Sequence, residues 1–291
     1  MTTRGTPSER APRPGKGWGH WAQVLGAHAV LLGYTAFALF PILLVVVNSF
    51  KERRAIFRTP YALPDADTFS LVGYRTVFTG ARFDLYFVNS LIVTLGSLAL
   101  VLLFASMAAH ALAEYRFRGN TLLGLYLAIG IMIPIRLGTV SILRMMVALG
   151  LTDTLWSLIL VYTAQGIPLA VFILSVFMRQ VPGELKDAAR IDGASEYRIY
   201  ALIMPLVRPA LGTVAVFTMI PIWNDLWFPL VLASGERTKT IILGAQVFLG
   251  QYVNDWNAVL ASLTLAMVPI IVLYVIFSRQ LIRGLTQGAV K

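Results

Sequence analysis

The side chains that could do chemistry in this chain fall into two groups. Arg136, Gln165, Asn224 and Asp225 stand inside long apolar runs, and a charged stretch, ELKDAARIDGASEYRIYALIMPL, fills positions 184–206. Neither group has the spacing of an enzyme. Metal-assisted hydrolysis needs a set such as HExxH, and acid–base or nucleophilic work needs paired carboxylates or a base beside a nucleophile. Asp225 alone supplies neither. His20, His28 and His110 are too scattered to suggest a ligand set, so zinc and haem have no support. The chain has no cysteine, which excludes disulfides, thiol catalysis and thiolate metal sites. A Walker A loop needs GxxxxGK followed by Ser or Thr, whereas the one Gly-Lys pair, Gly15 and Lys16, is followed by Gly17. No catalytic residue, no metal site and no ATP chemistry is therefore assigned to this chain.

What must position these groups is an apolar scaffold. Of the 291 residues 57% are hydrophobic and only 13% charged, against about 25% charged in a soluble domain. A bilayer core about 30 Å thick needs roughly 20 helical residues, and such runs occur at 24–47, 86–113, 122–143, 155–178, 211–232 and 259–277. Pro134 and Arg136 interrupt the third. Pro41, Pro168, Pro221, Pro229 and Pro269 fall inside others, which predicts kinked helices that re-satisfy freed carbonyls within a bundle. The expected fold is an all-α membrane protein with six transmembrane helices over 23–278. Residues 1–22, rich in Pro, Gly and Arg, are expected to form a disordered tail, and 279–291 a second tail. The first apolar run is too long for a signal peptide and lacks a small-residue cleavage pattern, so it reads as an uncleaved span.

The net charge of +10 comes from basic residues scattered between the apolar runs, which argues for a lipid bilayer as partner and against nucleic acid. With both termini placed in the cytoplasm, fourteen of the 24 Lys and Arg fall inside and ten outside or at outer ends. The excess favours that orientation, while the cluster Lys51, Arg53, Arg54 and Arg58 counts against it. Ala105, Ala109 and Ala113 make a small-residue stripe that lets another helix approach closely, most simply within this chain. No internal repeat stands out, which weakens a secondary transporter.

On this topology the charged stretch lies between spans four and five, on the cytoplasmic side. Pro182 and Gly183 break the fourth helix, and Glu184 opens a new one with an acid in its first turn, where the helix dipole favours it. Leu185, Ala188 and Ala189 share one face, with Lys186 and Arg190 as i,i+4 neighbours elsewhere. Gly193 can take the positive φ that redirects the chain. Tyr197, Tyr200, Ala201 and Met204 repeat the apolar spacing on a second short helix, which Pro205 and Pro209 lead back to the membrane. Composition alone is equally compatible with two helices lying in the headgroup region.

The run Asp187-Ala188-Ala189-Arg190-Ile191-Asp192-Gly193-Ala194, followed by Ile203-Met204-Pro205-Leu206, resembles the EAA loop of binding-protein-dependent ABC importer permeases. Asp187 stands where Glu is usual and Met204 where Leu is usual. Trp223, Asn224, Asp225 and Pro229 resemble the W-N-D/E-x-x-x-P element of carbohydrate-type permeases. Gly284, Leu285, Thr286, Gly288, Ala289, Val290 and Lys291 resemble their G-L-T-x-G-A-V-K tail. The likeness covers about residues 25–291 and is closest to the second permease subunit of maltose-type importers.

The resemblance implies a type I ABC importer permease in a bacterial inner membrane, with a cytoplasmic coupling helix between helices 4 and 5, over 182–208. Glu184, Asp187, Ala188, Ala189, Arg190, Asp192, Gly193, Ala194 and Tyr197 would meet a cleft in a cytoplasmic ATPase. Gly284, Leu285, Thr286, Gly288 and Lys291 of the tail would reach the ATP-binding subunit dimer, which would hold ATP and Mg. This chain itself would carry no cofactor. The loop over 233–258 would engage an extracytoplasmic solute-binding protein, and a homologous second permease subunit would complete the channel. Gln165, Asn224 and Asp225 are candidates for the translocation path, with interhelical hydrogen bonding an equal reading. Arg136 could line a pore, pair with an acid, or snorkel. The W-N-D and G-A-V-K elements favour sugar over amino acid or peptide, while the outer loop does not separate a disaccharide from a polyol or glycerol phosphate. An ATP-independent secondary transporter is the alternative of a different class.

Overall fold

The computed structural model describes residues 18–249 and 254–289, and beyond two isolated bridges these contain no strand. In chain order the helices are α1 (Trp18–Ser49), α2 (Arg53–Arg58), α3 (Val72–Gly80), α4 (Phe83–Glu114), α5 (Asn120–Met132), α6 (Thr139–Ala148), α7 (Leu155–Arg179), α8 (Gly183–Ile191), α9 (Glu196–Leu206), α10 (Arg208–Asn224), α11 (Trp227–Leu232), α12 (Ile241–Ala245) and α13 (Trp256–Ala289). Four of them, α1, α4, α7 and α13, are long and apolar enough to cross a membrane unbroken, and two bent pairs raise the candidates to six.

Two of the expected spans are not single helices. The third is α5 and α6, whose paths differ by 85°. Pro134 removes an amide donor and pushes Ile133 into extended backbone, with ψ 117°, so the helix cannot run through. The fifth stops at Asn224, leaves Asp225 extended at ψ 134°, and restarts as α11. Helix α1 begins at Trp18, inside the stretch expected to be a disordered tail. Residues 1–17 lie outside the described residues. Helix α13 continues through Gly284, Leu285, Thr286 and Gly288 to Ala289, so the backbone of the second tail is a helical extension. Val290 and Lys291 lie outside the described residues.

In lipid, helices gain little from the hydrophobic effect and associate through close packing. The small-residue stripe serves that purpose within the chain, as expected. Ala105 and Ala109 of α4 are buried against Ala170, Val171, Leu174 and Met178 of α7, with Ala113 partly buried on the same cluster. A Cβ on Gly166 would run into Val101, so glycine there lets α7 lie close to α4. Helix α1 buries Asn48 and Ser49 at one end, while positions 25–43 are exposed.

At that same end Lys51 is fully buried. Its ammonium donates to Asn48 Oδ1 at 3.1 Å and to the Thr59 carbonyl at 2.8 Å, and burial lowers its pKa. It is therefore a structural cation withdrawn from the basic cluster that counted against the orientation.

Candidate functional site

The charged stretch folds as two short helices joined at Gly193, whose φ of 76° is positive. The amides of Asp192 and Ala194 close the end of α8 onto the carbonyls of Ala188 and Ala189, a helix stop that glycine completes without Cβ strain. Beneath lies Glu114, the last residue of α4. Its carboxylate accepts from Lys186 Nζ at 2.6 Å and from Arg190 Nη2 at 2.9 Å. Arg190 also donates to Asp187 at 3.1 Å and to Glu196 at 3.3 Å, and the Tyr115 hydroxyl donates to Glu196 at 2.8 Å. The bonds from Tyr115 and Arg190 hold the Glu196 carboxyl below its usual range.

A second contact seats α9. Ile199 and Ile203 are buried, the hydroxyls of Tyr200 and Ser106 share a bond of 2.7 Å, and the Tyr200 ring meets the His110 ring edge-on at 5.4 Å.

On α8 a cation meets the bundle and most of the apolar stripe does not. Lys186 turns inward and is only 7% exposed, whereas Leu185, Ala188, Ile191 (86% exposed) and Tyr197 (84%) look outward with Asp187. The reason is Glu114: a carboxylate at the rim of the bundle holds two cations through charge-assisted bonds, a stronger determinant of helix rotation than burying two alanines. The apolar side chains left outside form an exposed patch on a fixed support.

The intramembrane polar residues gather where the two broken spans meet. Asp225, 9% exposed, accepts from the Tyr162 hydroxyl at 2.8 Å, from Arg136 at 3.1 Å, and from the amides of Trp227 and Phe228 at 3.3 and 3.1 Å. It thus caps the restart of the fifth span, satisfying amides that the break frees. Of the three readings of Arg136, pairing with an acid is the observed one. Gln165 lines a cavity of about 60 Å³ with Arg136, Tyr162 and Asp225, and a neighbouring one of about 180 Å³ with Phe217 and Pro221. Asn224 lines neither: it is exposed and its amide donates to the Ile220 carbonyl at 2.9 Å. Trp223 joins α10 to α13 by donating to the Ala266 carbonyl at 3.0 Å.

At the far end of α4 the start of the loop over 233–258 is tied down. The Asp153 carboxylate accepts from the Gly235 amide at 2.7 Å and the Thr238 hydroxyl at 2.6 Å. Asn89 donates to the carbonyls of Arg237 and Lys239 at 3.0 and 2.9 Å, and Ser90 accepts from the Ile241 amide at 2.8 Å. Tyr86 donates to Glu236, which Lys239 also contacts. These two donors hold the Glu236 carboxyl below its usual range. Residues 250–253 of the loop lie outside the described residues.

Glu114, Tyr86, Asn89 and Asp153 were not singled out by sequence. The available signal was Glu114 itself, an acid at the very end of an apolar run.

Residues 30–287 match the family described as binding-protein-dependent transport system inner membrane component. The chain is 31% identical over 265 residues to the diacetylchitobiose uptake system permease protein NgcG of Streptomyces coelicolor, covering 90% of this chain and 87% of that one. It is 35% identical over 257 residues to the arabinooligosaccharides transport system permease protein AraQ of Halalkalibacterium halodurans (87% and 91% covered), and 33% identical over 276 residues to the trehalose transport system permease protein SugB of Mycobacterium tuberculosis (94% and 97% covered). Among solved structures, a bacterial ABC transporter that imports the acidic polysaccharide alginate shares the fold, with a TM-score of 0.76 at 22% identity over 88% of this chain and 96% of that chain. The chain belongs to the family of binding-protein-dependent transport system inner membrane components.

Proposed function

We propose that this chain is the permease subunit of an ATP-driven importer for a sugar or oligosaccharide. The observation that carries the reading is the outward face of α8, Leu185, Asp187, Ala188 and Ile191, presented on a helix whose other side is clamped to the bundle. A cytoplasmic ATPase dimer, which binds ATP and Mg, docks on that face and drives alternating access. The α13 extension over Gly284, Leu285, Thr286 and Gly288 reaches the same dimer, as does Lys291 of the sequence beyond it. Both termini are cytoplasmic, the loop over 233–258 receives an extracytoplasmic solute-binding protein, and a homologous second permease completes the channel.

The names of the relatives, transport systems for diacetylchitobiose, arabinooligosaccharides and trehalose, support a carbohydrate solute. A cavity of about 180 Å³ at Gln165 is below the roughly 300 Å³ at which small-molecule pockets begin. This chain therefore supplies one wall of the path, Gln165 and Asp225 with Asn224 beside them, and the partner permease supplies the other.

The test is uptake by the complete complex in proteoliposomes with Gly193→Val. A valine at φ 76° disfavours the turn by about 1–2 kcal/mol and displaces the docking face. Uptake is expected to fall to background while ATP hydrolysis persists; normal coupled uptake would refute the assignment.

A further inference from the structure

Helix α4 touches both regions to which partners are assigned above. At one end Ser106, His110 and Glu114 hold the α8–α9 loop; at the other Tyr86, Asn89 and Ser90 hold residues 236–241. Between them it runs for 32 residues, about 48 Å at 1.5 Å per residue.

It is also the one long helix among those described without an internal proline. Helices α1, α7 and α13 each contain an internal proline, at Pro41, Pro168 and Pro269, and α10 contains Pro221; α4 contains none. Proline is a leading cause of sharp helix kinks. The one glycine of α4, Gly96, is backed by Ile159, which stands 3.3 Å from where a Cβ would lie.

From this geometry we infer that α4 is a transmission rod between the ATPase-docking loop and the outer segment 236–241, with Glu114 and the Tyr86–Glu236 pair as positioning residues at its two joints. The inference rests on the proposed placement of ATPase and binding protein at these two ends. A displacement of α8 is passed to α4 through Glu114, because Lys186 and Arg190 cannot leave that carboxylate without stranding a largely buried charge. It is delivered to the outer segment through bonds at Tyr86, Asn89 and Ser90. In the reverse direction, binding protein seated on the outer segment is sensed at the ATPase.

The experiment measures, in proteoliposomes holding the complete complex, the ratio of ATP hydrolysis with and without binding protein. Glu114→Gln and Tyr86→Phe are each expected to lower that ratio by roughly fivefold or more, the lower range of ordinary inter-site couplings. The double variant is expected to be no worse than the weaker single, because a rod released at one joint transmits nothing for the other to lose. Glu114→Asp, which keeps the charge, should retain most of the stimulation. Lys186→Met reads the same joint from the loop side if Glu114→Gln does not assemble. A wild-type ratio in either single, or effects that multiply in the double, overturns the inference. Gly193→Val is the control. If it too leaves stimulation intact, the placement of the ATPase fails; if it abolishes stimulation while the α4 variants do not, only the rod fails.

Discussion

Two carboxylates, Glu114 and Asp225, each draw together several donors, yet they join different things. Glu114 holds Lys186 and Arg190 from a loop more than seventy positions away, at the rim of the bundle. Asp225 holds Tyr162 and Arg136 and, in addition, the amides two and three residues ahead of it. The first fastens a separate loop to the bundle; the second repairs a break in a helix. The difference teaches that a polar group in an apolar chain has no single meaning. What decides its role is whether its partners belong to a separable segment or to its own backbone.

Removing each carboxylate should therefore fail in different ways. Asp225→Ala leaves the buried Tyr162 hydroxyl and the Phe228 amide without an acceptor, a loss of about 2–5 kcal/mol in stability. It should show as a lower thermal midpoint and poorer assembly of the purified complex. Glu114→Gln should cost less stability, because the glutamine carbonyl still accepts a hydrogen bond and Arg190 keeps Asp187 and Glu196, yet more coupling. If Asp225→Ala instead assembled normally and lost only uptake, the break-repair role would fail and only the place of Asp225 in the wall of the path would stand. Arg136→Ala should have the smallest effect, since Asp225 keeps three other donors, the Tyr162 hydroxyl and the amides of Trp227 and Phe228. A midpoint shift as large as that of Asp225→Ala would show the ion pair, not the cap, to be the dominant bond.

Much of the helical architecture is legible in the sequence because lipid imposes length and apolarity on each span. Pro134 announced the interruption of the third span, and the small-residue stripe at Ala105 and Ala109 announced close packing against α7. The break at Asp225 was not legible: Trp223 to Leu232 is apolar enough to read as helix, and the donors that stabilise extended backbone there arrive from Tyr162, Arg136 and its own following amides.

At the site, the sequence marked the turn at Gly193 and the side chains that share the apolar face of α8, but not the residue that sets the rotation of that helix. Spacing within a nine-residue helix says which side chains share a face, not which face meets the protein. That was set by Glu114, a residue of another helix. The clamp on residues 235–241 was hidden for the same reason, since Asp153 and Asn89 reach it only through the tertiary fold.

The most direct test of the central claim is solute uptake by proteoliposomes containing this chain, with and without its ATPase dimer, second permease and binding protein. Uptake of a sugar or oligosaccharide that requires ATP and every one of these partners is the predicted result. Uptake by this chain alone, driven by an ion gradient and indifferent to ATP, would contradict it.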